Sequence, residues 1–205
     1  MLKGIIIAVI IGAAAIGVLY LGGPIILSKT VTDPLQHALD QVQSGLTYDK
    51  FVNMVDSQRN SLVEKMPKKT IDLMMDEAKK FPTTVSESMQ DMVSKISSNT
   101  KTVIFSKQGE FVGLEGHDAK GKSEIISVGK IAFLRFENFE ITNGPDLHVY
   151  MTSDGNVTSG IDLGKLKGSK GDQNYALNGV DVKTYNIVVI YSQPFHVYFA
   201  KAKLS

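Results

Sequence analysis

The stretch KIAFLRFENFEITNGPDLHVYMTS (130–153), continued by DLGKLKGSKGDQNYAL (162–177) and TYNIVVIYSQPFHVYFAKAKL (184–204), decides the fold. Val, Ile, Phe and Tyr are dense in it, and Gly, Asn, Asp and Pro cut it at short intervals. Such runs predict an all-β domain of short strands. Leu147, Val149 and Met151 fall on one face of a strand, and His148 and Tyr150 on the other. Near the end of the chain Phe195, Val197 and Phe199 alternate with His196, Tyr198 and Ala200. Both faces are rather apolar, which predicts sheets covered on both sides, as in a sandwich or barrel interior. KTVIFSKQGEFVGLEG (101–116) and SEIISVGKIAFLRF (123–136) carry the same pattern, so the β domain is expected over 101–205.

Upstream the character changes. Asp33-Pro34 reads as a helix start, and Thr84-Val85-Ser86-Glu87 as a capping box. Three apolar stripes at helical spacing are expected. They are Phe51, Met54, Val55 and Leu62; Ile71, Met74, Met75 and Ala78; and Val85, Met89, Met92, Val93 and Ile96. An α-helical spacer is expected over 29–100. Its methionines offer soft donors for Cu(I), but filling gaps between packed helices is the preferred reading.

Gly4 to Leu27 carries no charged residue. About 20 apolar residues span a hydrocarbon core as a helix, whereas a cleaved signal has an apolar core of about 7–15. A transmembrane signal anchor over 1–28 is therefore expected, uncleaved. The positive-inside rule, acting through Lys3, places the C-terminal domain outside the cytoplasm. Asn156-Val157-Thr158 matches a glycosylation acceptor in an external loop.

The chain has 205 residues, a net charge of +1 and no cysteine. A charge so close to zero argues against nucleic acid as a partner. Without Cys there are no disulfides, thiolate metal sites, thiol nucleophiles or lipoprotein anchor. Gly116-His-Asp-Ala-Lys-Gly121-Lys122-Ser123 matches a phosphate-loop pattern letter for letter. A phosphate loop must open a helix, and the residues after Ser123 are strand-like, so no nucleotide is expected. His148 and His196 are candidate metal ligands, for copper or, with Met, haem. The plainer reading makes them partly buried strand residues with hydrogen-bond partners. No hydrolase motif is present.

Three segments, GPDLHVY (144–150), LGKLKGSKGDQNYAL (163–177) and VVIYSQPFHVYFAKAKL (188–204), resemble the family called electron transfer DM-thirteen, over about 105 residues. Gly144, Pro145 and Asp146 match its Gly-Pro-Asp. Leu163, Gly164, Leu166 and Lys167 match the next motif, and Gln173, Asn174 and Tyr175 match its Gln-Asn-Tyr. The resemblance implies a β-sandwich-like domain with a redox role tied to a near-invariant cysteine. Ser192 stands at that position here, and a hydroxyl cannot cycle through the oxidation states of a thiol. The resemblance also marks Asp146, Gln173, Asn174, Tyr175 and Ser192 as candidate cofactor-binding positions, with no cofactor specified. The expectation is a binding or accessory module at the cell envelope with a protein partner. The alternative is an electron carrier using a bound metal or haem.

Overall fold

A computed structural model describes residues 33–90, 102–129 and 131–205. The expected anchor over 1–28, and Met92, Val93 and Ile96, lie outside those residues. Among the described residues no helix is long and apolar enough to cross a membrane. The chain divides into two compact units between Met74 and Met75.

The first unit is helical. α1 (Asp33–Val42) begins at the Asp-Pro pair, as expected. α2 (Tyr48–Val52) is capped by Thr47, whose hydroxyl accepts from the Lys50 amide at 3.2 Å. α3 (Asp56–Val63) follows after a break. The expected stripe Phe51, Met54, Val55, Leu62 is therefore not one helix face: Phe51 is buried in α2, and Val55, which precedes α3, is 61% exposed. α4 (Lys68–Lys79), within which the division falls, carries the second stripe, with Met74 and Ala78 buried.

The second unit is a sandwich of two five-stranded sheets. One sheet runs in the order β1 (Thr84–Ser86), β8 (Lys170–Ala176), β5 (Ile131–Ile141), β4 (Ala119–Val128) and β2 (Val103–Glu110). The other runs β3 (Val112–Gly113), β10 (Val197–Lys203), β9 (Ile187–Ser192), β6 (Leu147–Thr152) and β7 (Ile161–Lys165). Except for β1, which runs parallel to β8, neighbouring strands are antiparallel. Period-2 alternation sends Ile125, Leu134 and Phe136 from one sheet, and Leu147, Val149, Met151, Val188 and Ile190 from the other, into one core.

Two features depart from the sequence reading. Thr84–Ser86 is strand β1, not a capping box. It lies so close to β8 that a Cβ on Gly171 would overlap the Val85 carbonyl, and Gly171 also has φ +95°. The Glu87 carboxylate, expected to cap a helix, instead binds Lys167 and the Asn174 amide. Second, β10 is bulged between Tyr198 and Ala200. Tyr198 pairs with Tyr191 and Ala200 with Ile190, so Phe199 is the extra residue. The bulge shifts the alternation: Ala200 and Ala202 join Phe199 in the core rather than sharing a face with Tyr198.

The Phe199 ring stacks on His117 with centroids 3.7 Å apart. It also covers Gly144, where an added Cβ would run into it. Gly144→Ala is expected to cost about 1–3 kcal/mol through overpacking, measured by urea denaturation. Adding Phe199→Leu should make the two changes less costly together than the sum of their separate effects. Simple additivity would show that the ring does not press on residue 144.

Candidate functional site

The family-motif residues named above fall into two groups. The first closes the crossing from β7 to β8, where the chain passes between sheets. The Leu166 amide donates to the Leu147 carbonyl at 2.7 Å. Gln173 is fully buried; its side chain donates to the Gly168 carbonyl at 2.6 Å and accepts from the Gly168 amide at 3.2 Å. The Tyr175 hydroxyl donates to Gln173 Oε1 at 2.8 Å and accepts from the Lys167 amide at 3.1 Å. Burial pushes the Tyr175 phenol well up, so it stays a neutral donor.

Asn174 points the other way, as alternation requires. Its Oδ1 accepts from Arg135 at 2.9 Å and its Nδ2 donates to the Ser88 carbonyl at 3.2 Å. Arg135 is 6% exposed, and its guanidinium is paired by Glu137 at 2.7 Å and Asp172 at 2.8 Å. A buried cation is tolerated only when its donors are matched in this way. A cleft of about 400 Å³ opens beside this crossing, lined by Asp162, Lys167, Asn174 and Tyr175 among others.

The second group gathers at the end of β9. Ser192 is fully buried on the core side and donates to the Pro145 carbonyl at 2.7 Å. The cysteine position of the resemblance is thus closed off from solvent and tied to the Gly-Pro-Asp turn. Asp146 holds a left-handed backbone, φ +46°, and takes the Lys165 ammonium at 2.7 Å.

The outer face of the same sheet carries a polar and aromatic cluster. His148 is 9% exposed; its Nδ1 lies 2.9 Å from Asp162 and its Nε2 3.7 Å from Asp146. Burial alone would lower the His148 pKa, but Asp146 and Asp162 together outweigh it and raise it. Gln193 donates to the Tyr150 hydroxyl at 2.7 Å and to Asp162 at 3.1 Å. Tyr191 stands beside His148 across the strand pair, and its hydroxyl lies 2.9 Å from Nδ1 of the exposed His196.

His148 and His196 both have a ring nitrogen committed to another side chain. Among the described residues no group of three His, Asp or Glu side chains is placed to hold a metal ion. His148 and His196 are not brought together with a third such side chain into one cluster. Of the spacer methionines, Met74 is buried and Met75 packs on the sandwich core, while Met92 lies outside the described residues. At the phosphate-loop pattern, Gly121, Lys122 and Ser123 lie inside strand β4, so no helix opens there.

Arg135, Asp162, Gln193 and Tyr191 are not singled out in the sequence reading, and Glu87 enters it only as a helix cap. Tyr191 had a signal: it directly precedes Ser192, so alternation puts the two on opposite faces. The others are joined across long separations, such as 48 residues between Glu87 and Arg135, and no local pattern marks them.

Gln173→Leu would leave the Tyr175 hydroxyl and both Gly168 groups without their buried partner. A loss of about 2 kcal/mol or more is expected, since each stranded group costs about 1–3; a change under about 0.5 kcal/mol would mean the clamp is idle. His148 predicts a pH dependence. A raised folded pKa contributes stability that is fully present below the unfolded value of about 6.5, and that is lost as pH rises through the folded pKa. The stability advantage of wild type over His148→Gln should be full below about pH 6.5 and shrink as the pH is raised above it. An advantage that grows as the pH is raised contradicts the charged-imidazole arrangement.

No curated protein and no solved structure matches the chain. Residues 110–204 match the family model described as Electron transfer DM13. That span runs from the end of β2 to the last core residue, Leu204, and it contains the crossing clamp, the Gly-Pro-Asp turn, Ser192 and the outer aromatic cluster. The match lies within the described sandwich: residues 110–204 are similar to the electron transfer DM13 family.

Proposed function

We propose that this chain is an envelope protein, anchored by its apolar segment 1–28, whose DM13 domain serves an electron-transfer system as a binding or accessory module. The observation that carries this reading is the state of residue 192. The family's redox position holds a fully buried Ser whose hydroxyl is committed to the Pro145 carbonyl. Thiol–disulfide exchange needs an accessible thiolate, and this site offers neither thiol nor access. The domain keeps the family's framework without its sulfur chemistry. What remains for recognition is the outer face of the β9-containing sheet and the polar cleft beside Lys167 and Asn174. Localisation outside the cytoplasm rests on the uncharged run from Gly4 to Leu27 and the charge bias of Lys3.

Two measurements test the reading. The full chain should stay with the membrane through alkaline extraction, with residues after the anchor open to protease added outside; recovery as a soluble protein contradicts the anchor. Supplied with copper, iron and haem and then desalted, the protein should carry no stoichiometric metal or chromophore. A stoichiometric metal lost on His148→Gln or His196→Gln would replace the accessory reading with a metal carrier. Ser192→Cys probes the closed site directly. Its thiol should react with a disulfide reagent much more slowly than an exposed thiol, because burial both raises its pKa and blocks approach. Labelling as fast as an exposed thiol would show that position 192 is open.

A further inference from the structure

The chain contains no Cys and no Trp, and seven Tyr. Tyrosine is therefore the side chain through which this protein can pass single electrons; Met oxidises by taking up oxygen instead. Three of the tyrosines are adjacent on the outer face of one sheet. Tyr150 and Tyr191 have ring centroids 6.0 Å apart, and Tyr191 and Tyr198 4.9 Å apart, both edge to face. Tyr150 and Tyr191 are each 8% exposed and pack with the fully buried Val189, while Tyr198 reaches partly into solvent. The row thus runs along the outer face from a partly exposed ring to two buried ones.

An oxidised phenol must lose its proton to rest as a neutral radical. Removing the proton first is disfavoured, because burial raises the Tyr191 phenol pKa, and the neighbouring Tyr198 and Tyr150 add to that. A base must therefore stand at the hydroxyl. His196 Nδ1 is 2.9 Å from it. With the imidazole proton on Nε2, Nδ1 accepts. The backbone of His196 is left-handed, φ +55°, a conformation few side chains adopt and one that persists where surrounding structure imposes it. That turn brings an exposed, proton-exchanging imidazole back onto a buried phenol.

We infer that Tyr150, Tyr191 and Tyr198 form a one-electron relay in which His196 accepts the Tyr191 phenolic proton. The inference goes beyond the accessory reading above and rests on it only for the association with an electron-transfer system. A one-electron outer-sphere oxidant at the surface takes an electron from the row. Tyr191 gives up that electron, and its O–H proton moves to His196 Nδ1, leaving a neutral tyrosyl radical and an imidazolium. An electron from a reduced donor, with return of the proton, restores both residues. Tyr150 and Tyr198 provide ring contact on either side. His196 touches the reacting hydroxyl and serves as the base; a proton acceptor so placed contributes about 10²–10⁴-fold.

The test uses the full chain and photogenerated ruthenium(III) tris-bipyridine as oxidant, with transient absorption and freeze-quench electron paramagnetic resonance. Wild type should form a tyrosyl radical whose signal is lost or changed in Tyr191→Phe. His196→Asn, which tolerates the left-handed backbone, should slow radical formation by about a hundredfold. Tyr48→Phe, in the helical unit, should leave rate and spectrum unchanged. An unchanged rate in His196→Asn, or an unchanged signal in Tyr191→Phe, overturns the relay. Circular dichroism confirms that each variant is folded. Because the added oxidant stands in for any natural partner, the relay can fail while the membrane and partner reading survives, and the reverse.

Discussion

The position of β9 in the middle of its sheet is the constraint on which the rest depends. β9 pairs with β6 on one side and β10 on the other, Ser192 meeting Leu147 and Val197, and Tyr191 meeting His148 and Tyr198. Side chains on a strand alternate with period 2, so this register fixes two surfaces at once. Val188, Ile190 and Ser192 go to the core; Val189 and Tyr191 go to the outer face. A slip of one residue would exchange them, burying a phenol in the core and placing the motif Ser outside. The apolar core resists that slip, because it would expose Val188 and Ile190 to the outer face.

The two surfaces have different chemistry. Inside, Ser192, Pro145, Gln173 and Tyr175 are satisfied by one another and by backbone groups. Such a network gives geometry rather than reactivity, since every donor already has a partner. Outside, His148 sits between two carboxylates, and Tyr191 shares its hydroxyl with an exposed imidazole. Protons can move there. The Gly-Pro-Asp turn links the surfaces: its Pro carbonyl holds Ser192, and its Asp carboxylate faces His148 and Lys165.

Much of the sandwich was legible in the sequence because its strands are short and β-rich. The division of Leu147, Val149 and Met151 from His148 and Tyr150 is seen as expected. The α4 stripe was legible for the same reason, as periodicity is a local signal. The failures are non-local. Thr84–Ser86 has the letters of a helix cap, but parallel pairing with Lys170–Asp172 makes it a strand. Phe199 looks like one more alternating residue, and only the register against β9 shows that it is bulged. Gln173, Asn174 and Tyr175 stood out through family resemblance, yet their roles depend on Gly168, Arg135 and Glu87, which no spacing rule joins to them.

The register of β9 is most directly tested by cross-strand nuclear Overhauser contacts in isotope-labelled protein. The account requires backbone contacts of Tyr191 with His148 and with Tyr198, and of Ser192 with Leu147 and Val197. Contacts of Tyr191 with Leu147 or Val149 in their place would mean a one-residue slip. The buried Ser192, the tyrosine row and the His196 base would then all be misplaced.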